Sequence, residues 1–326
     1  MKTKILFKTT AAVVTFAAFS SVAWADEPKP DCEFPGGAYY DATNTLRLES
    51  FTDDSAKVEI SNEAAQCVNS KTSEFKLIVA RNTALAANST IVLPANFKIQ
   101  NDCVKLYEPV EFSTDAEGNW SVTASHLKGE GDGNKPMLMI TDTDRNECQD
   151  IKDIEFTGRE LRSTEHAVTY VWLYNNKTQN NDWSLEGTYS FIRWEKDNAE
   201  LGMVYGYAAK EKGKVTPGQF VQVGSNAYIP PLRAYLKYIG KEPLSQKNKA
   251  LAKTAESAQD NGQVFALPKT IDVHLIEDDG TTSLAKWNTA TGEIKKLNHW
   301  YDLKGRKFQN KPTNNSVFIN KVRANH

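Results

Sequence analysis

The chain has 326 residues, 40% hydrophobic and 25% charged, a composition that excludes wholesale disorder and fits about two domains. Its 39 basic and 41 acidic side chains nearly cancel, so no basic excess exists to hold nucleic acid or an anionic membrane. The 18 glycines and 12 prolines follow no period and no heptads occur, which removes collagen-like and coiled-coil readings.

The chain opens on Lys2, Lys4 and Lys8, then an apolar run at 11–19 broken only by Thr15, then Ala23-Trp24-Ala25, a small-x-small cleavage pattern. Residues 1–25 are therefore expected to be a signal peptide cut after Ala25. The run is too short to span roughly 30 Å of hydrocarbon, and no later stretch is long and apolar enough, so no transmembrane segment is expected after cleavage. An exported protein, secreted or on the outer cell surface with the periplasm as the alternative, matures in an oxidising compartment. Its four cysteines, Cys32, Cys67, Cys103 and Cys148, then read as two disulfides. Three connectivities exist; sequence proximity favours Cys32–Cys67 and Cys103–Cys148. No CxxC or HxH spacing supports a metal site in their place.

Strand signals dominate the rest. Short β-branched and aromatic runs stand at 75–80, 90–93, 120–123, 137–140, 168–174, 183–194, 203–207, 220–223 and 232–238. Polar turns separate them, including Glu117-Gly118-Asn119 and Asp279-Gly280. The fold class predicted is all-β, with a sandwich-like main module and a small C-terminal β-sandwich-type domain. An N-terminal cysteine-containing β segment is expected at 26–74, the main module at 75–240, a linker at 241–262 and the small C-terminal domain at 263–326. Good helix formers gather only at 244–259, with too few large apolar residues to bury a face.

The motifs for chemistry are sparse. No G-x-S-x-G elbow and no H-E-x-x-H helix occur, and the five histidines are scattered. Glycoside hydrolysis needs two carboxylates about 5–10 Å apart, for which Glu155, Glu186 and Glu195, near strand aromatics, are the candidates. Asp142, Asp144, Asn146, Asp150 and Asp153 place oxygen donors at calcium-loop spacing, although Glu147 stands where the loop's sharp turn wants glycine. Gly129, Gly131 and Gly133 read as a hairpin connection, since no Lys-Ser/Thr or helix follows to cradle phosphate. Among the strand aromatics, Trp172, Trp183 and Trp194 are the candidates for a platform that stacks on sugar rings.

Two stretches carry a resemblance. Trp300-Tyr301-Asp302-Leu303-Lys304-Gly305-Arg306-Lys307, followed by Val317-Phe318-Ile319, resembles the C-terminal sorting domain of the type IX (Por) secretion route. Upstream, the ordered runs 89–94, 183–189, 204–208, 218–223, 229–236 and 291–294 resemble an uncharacterised β-rich module of secreted proteins from fibre-degrading anaerobic bacteria. The resemblance implies export, handling by the secretion machinery through the tail, and a surface or accessory role. It supplies no catalytic residues. The expectation is therefore a non-catalytic secreted or cell-surface accessory protein, without cofactor, whose partners are polysaccharides or cell-envelope components. Carbohydrate binding through surface aromatics is the alternative, and a glycoside-active enzyme the second alternative.

Overall fold

The computed structural model describes residues 29–114, 119–175, 179–211, 215–240 and 267–278, and the backbone of short strands at 282–284, 300–302, 307–308 and 318–320. The expected signal peptide with its cleavage at Ala25, the linker at 241–262, the helix formers at 244–259 and Gly305 all lie outside the described residues.

The first half runs β1 (Cys32–Phe34), β2 (Gly37–Tyr40), β3 (Thr45–Ser50), α1 (Asn62–Lys71), β4 (Phe75–Arg81), β5 (Asn88–Ile91), β6 (Ala95–Ile99), β7 (Val104–Thr114), β8 (Trp120–His126), β9 (Glu130–Gly131), β10 (Met137–Thr141) and β11 (Asp153–Leu161). The second half runs β12 (Tyr170–Asn175), β13 (Asn180–Thr188), β14 (Ile192–Trp194), β15 (Val204–Tyr207), β16 (Phe220–Gln222), β17 (Ala227–Ile229), β18 (Arg233–Tyr238) and β19 (Thr270–Ile276). The strands β20 (Thr282–Leu284), β21 (Trp300–Asp302), β22 (Lys307–Phe308) and β23 (Phe318–Asn320) follow. The all-β expectation holds. No helix among the described residues is long and apolar enough to cross a membrane.

Where a sandwich was expected, eight strands close a barrel in the order β12-β13-β18-β15-β16-β19-β8-β7, with β7 returning to β12. The closure depends on β7. Its first residues pair with β10, Leu106 facing Met139, and beyond a register shift between Pro109 and Glu111 its Phe112 pairs in parallel with Asn175 of β12. A bulge bends a strand and raises its twist, which lets one long strand serve two neighbours on the same edge. Proline at the bend is tolerated because the ladder is already interrupted there.

The second layer is a seven-stranded sheet, β1-β2-β3-β4-β11-β6-β9. Its β3 and β4 are parallel and are joined by a crossover containing α1. Ser61 caps that helix, its hydroxyl accepting the Ala64 N–H. Ala65 and Val68 are the only residues α1 buries, so its sequence carries little amphipathic signal. Within the 26–74 segment, β3 is the parallel neighbour of β4. Within the 263–326 stretch, β19 pairs with β16 and, in parallel, with β8, and is a stave of the barrel. Further on, β21, which opens WYDLKGRK, pairs with both β22 and the later β23 in a three-stranded sheet.

Two large cores result. Leu46, Leu48, Leu77, Val79, Phe97 and Phe156 of the sheet pack with Leu106, Met137 and Met139 of β7 and β10. Tyr107 and Leu138, on the opposite faces of those same two strands, belong to the barrel core. There Trp183 stacks on Phe112 at 4.4 Å and meets Tyr205 and Tyr238 edge-on at 5.4 and 5.2 Å. Disulfides Cys32–Cys67 and Cys103–Cys148 form as sequence proximity favoured. The first ties α1 to β1, and the second ties the chain just before β7 to the turn after β10.

Two outcomes follow for stability. Trp183→Ala empties the middle of the barrel and is expected to cost about 3–5 kcal/mol, read as a fall in the urea midpoint. Cys67→Ser opens a loop spanning 35 residues and is expected to cost roughly 2–4 kcal/mol by the same measurement under oxidising conditions.

Candidate functional site

Side chains alternate across a strand, and β12 uses that alternation in a distinctive way. Leu173 and Asn175 point inward and are buried, while Tyr170, Trp172 and Tyr174 point outward with 43%, 52% and 49% of their surface exposed. Val168, just upstream, is 64% exposed. The rings of Tyr170 and Trp172 meet edge to face at 4.8 Å. Alternate residues repeat at roughly 6.6 Å, so the three rings make a ridge about 13 Å long on the barrel exterior. Single exposed apolar side chains are ordinary, but three aromatics in one row form a contiguous patch.

Beside the ridge runs a polar band. Tyr170 faces Glu186 of β13 and Trp172 faces Ser184; these face Tyr235 and Lys237 of β18 in turn. Residues directly opposite in an antiparallel pair share a sheet face, so all six lie on the outer wall. The Glu186 carboxylate accepts from Ser184 Oγ at 2.9 Å and from the Tyr235 hydroxyl at 3.0 Å, and Lys237 Nζ lies 3.6 Å away. Lys237 also donates to Glu200 at 2.6 Å, and Trp194 Nε1 donates to the other oxygen of Glu200 at 3.0 Å.

Burial opposes the charge on Glu200, but donors Lys237 and Trp194 outweigh it and hold the carboxyl below its ordinary value. Burial likewise works against the Lys237 ammonium, and the two glutamates outweigh it, raising its pKa. For Tyr235, burial and then Glu186 both push the phenol up. The band is therefore a charge-locked structural network, with one cation between two carboxylates.

The structure separates the three tryptophans of the expected platform. Trp172 is half exposed; Trp183 and Trp194 are 0% and 1% exposed. Trp183 lies on the inner face of β13 and is the centre of the barrel core. Trp194, in the two-stranded sheet of β14 and β17, packs on Tyr235 in a small core of its own. The platform becomes a ridge made by β12 alone, with Tyr170 and Tyr174 as members the sequence reading did not select. Both faces of 168–174 are apolar in sequence, so nothing local marked which would be outside.

The other candidates do not converge. In the calcium-spaced stretch, Asn146 begins a 3-10 turn, Cys148 is tied to Cys103, and the Asp153 carboxylate is taken by Arg47 at 3.0 Å. Among the described residues, no group of three His, Cys, Asp or Glu side chains is placed to hold a metal ion. Glu155 pairs with Lys76 at 2.6 Å on the sheet, Glu186 lies in the barrel network, and Glu195 faces Arg193 at 3.9 Å. An open depression of about 370 Å³ is lined by Glu74 and Glu155 among others. Glu74 is bound to Arg159 at 2.7 Å and Glu155 to Lys76, and both are half exposed. Gly131 lies within β9 beneath the Phe97 ring, where a Cβ would fall 2.3 Å from a ring carbon, so the glycine run serves close packing in the sheet.

No protein-family model matches the chain, no curated protein matches its sequence, and no solved structure matches it.

The network has a pH signature. A carboxyl held low in the folded state contributes stability that is present above its unfolded pKa and lost as pH falls through the folded value. Glu200→Gln is therefore expected to flatten the acid limb of the stability profile below about pH 4.5, measured by urea titrations from pH 7 to pH 3.

Proposed function

We propose that this is an exported, non-catalytic accessory protein whose β12 ridge binds carbohydrate chains. The observation that carries the reading is the alternation Tyr170–Trp172–Tyr174, three half-exposed rings on one outer strand face. Aromatic faces bury the apolar face of a pyranose, and a row of rings engages several residues of an extended chain at once. The flanking Glu186 and Lys237, which keep part of their side chains open to solvent, supply polar partners for sugar hydroxyls. The two disulfides agree with maturation in an oxidising compartment, as export requires. The pairing of β21 with β22 and β23 is compatible with a folded sorting tail that engages the secretion machinery, with cell-envelope components as further partners.

Trp172→Ala is expected to leave the thermal midpoint within a degree or two, since the side chain is half exposed, and to reduce retention on insoluble plant-fibre polysaccharides at least tenfold. Equal retention of wild type and variant, or no retention of wild type on any of several fibres, would reject the ridge as a glycan site. For sorting, truncation before Trp300 is the informative deletion, because it spares the barrel stave β19. That truncated protein is expected to stay cell-associated on the periplasmic side, as read by fractionation. In the wild type, N-terminal sequencing of exported material is expected to begin at Asp26.

A further inference from the structure

Arg81 ends β4, paired with Ser50 at the end of β3. It is 4% exposed, and its Nε, Nη1 and Nη2 have neither solvent contact nor a hydrogen-bond partner. Arg233 opens β18; its Nη1 reaches the Thr90 carbonyl at 3.4 Å, and its Nε is enclosed without a partner. Both stand where the seven-stranded sheet meets the barrel. Ser50 Oγ donates to the Pro231 carbonyl at 2.7 Å, two residues before Arg233. The Thr90 hydroxyl both donates to the Ala234 carbonyl and accepts the Ala234 N–H, at 2.7 and 2.8 Å.

A guanidinium keeps its proton throughout the physiological range, so burial cannot be relieved by neutralisation. Buried charges are ordinarily paired, and an unpaired one is strongly unfavourable. Here two are brought together. Burial first, then the Arg233 charge, pushes Arg81 well below the usual arginine range, and burial alone brings Arg233 down to about 10. Among the described residues no carboxylate pairs with either. The Ser50 and Thr90 hydroxyls spend their protons on backbone carbonyls, and the buried donors left without a partner at the junction are guanidinium nitrogens.

We infer that Arg81 and Arg233 form a receptor for one small oxyanion, of the phosphate, sulfate or carboxylate class, at the sheet–barrel junction. Guanidinium forks match the paired oxygens of these anions. Arg233 keeps part of its surface open to solvent, so an anion arrives from its side. Arg81 is sealed, so the occupant is small and leaves only when the junction loosens. The site joins the two layers: the anion neutralises a residue of the sheet and a residue of the barrel together.

The test is thermal unfolding of the full mature protein, dialysed into chloride buffer, with phosphate, sulfate or acetate added at constant ionic strength. The wild-type midpoint is expected to rise by several degrees and saturate with at least one anion, as for any ligand that binds only the folded state. A response to phosphate or sulfate assigns a free inorganic oxyanion, and a response to acetate alone assigns a carboxylate. Arg81→Met is expected to lose the response, and Arg233→Lys, which keeps charge but not the fork, to need roughly tenfold more anion. No response of the wild type to any of the three, or an undiminished response in Arg81→Met, would overturn the inference. If Arg81→Met does not fold, ion chromatography of denatured wild type decides: about one equivalent of released oxyanion supports the site, and none overturns it.

Discussion

β7 belongs to two cores at once, and the architecture depends on that double membership. Val104 and Leu106 face the seven-stranded sheet, whereas Tyr107 and Phe112 face the barrel interior. Around Leu106 and Tyr107 the strand is buried on both faces, so a one-residue slip there would drive apolar residues into the wrong core. The bulge at Pro109–Glu111 then frees its far end to meet β12 and close the ring. Closure removes most sheet edges, which are otherwise open to pairing with other chains.

Once the barrel closes, its inside is fixed by aromatic packing and its outside becomes available. Trp183 at the centre leaves the interior occupied by side chains. The β12 ridge lies on that wall next to a network in which Lys237 is held between Glu186 and Glu200. The arginine junction is the opposite case, a place where internal pairing is incomplete and a solute ion completes it.

Much of the fold was legible in the residues. Valine, isoleucine and aromatic runs at 168–174 and 183–194 marked strands, and the even cysteine count with its spacing marked the bridges. The sandwich expectation failed where long-range pairing decides. Nothing within Thr270–Ile276 announces that it will lie between β8 and β16. The helix α1 was missed for a related reason, since it buries only two side chains and draws its stability from Ser61 and the Cys32–Cys67 bridge. In the calcium-spaced stretch the residue spacing carried no information on partners, and there Cys148 bridges to Cys103 and Asp153 pairs with Arg47.

The sequence by itself determined which residues share a face. A period of two fixes Tyr170, Trp172 and Tyr174 on one side of their strand and Leu173 on the other, whatever the strand packs against. Only the tertiary structure decided which side is wet. That choice rests on β12 closing against β7 and β13 around Trp183, contacts set by residues far away in the chain. Two tryptophans of the same chemistry thus ended with opposite roles, Trp183 buried and Trp172 exposed, because burial belongs to the assembled sheet and not to the side chain.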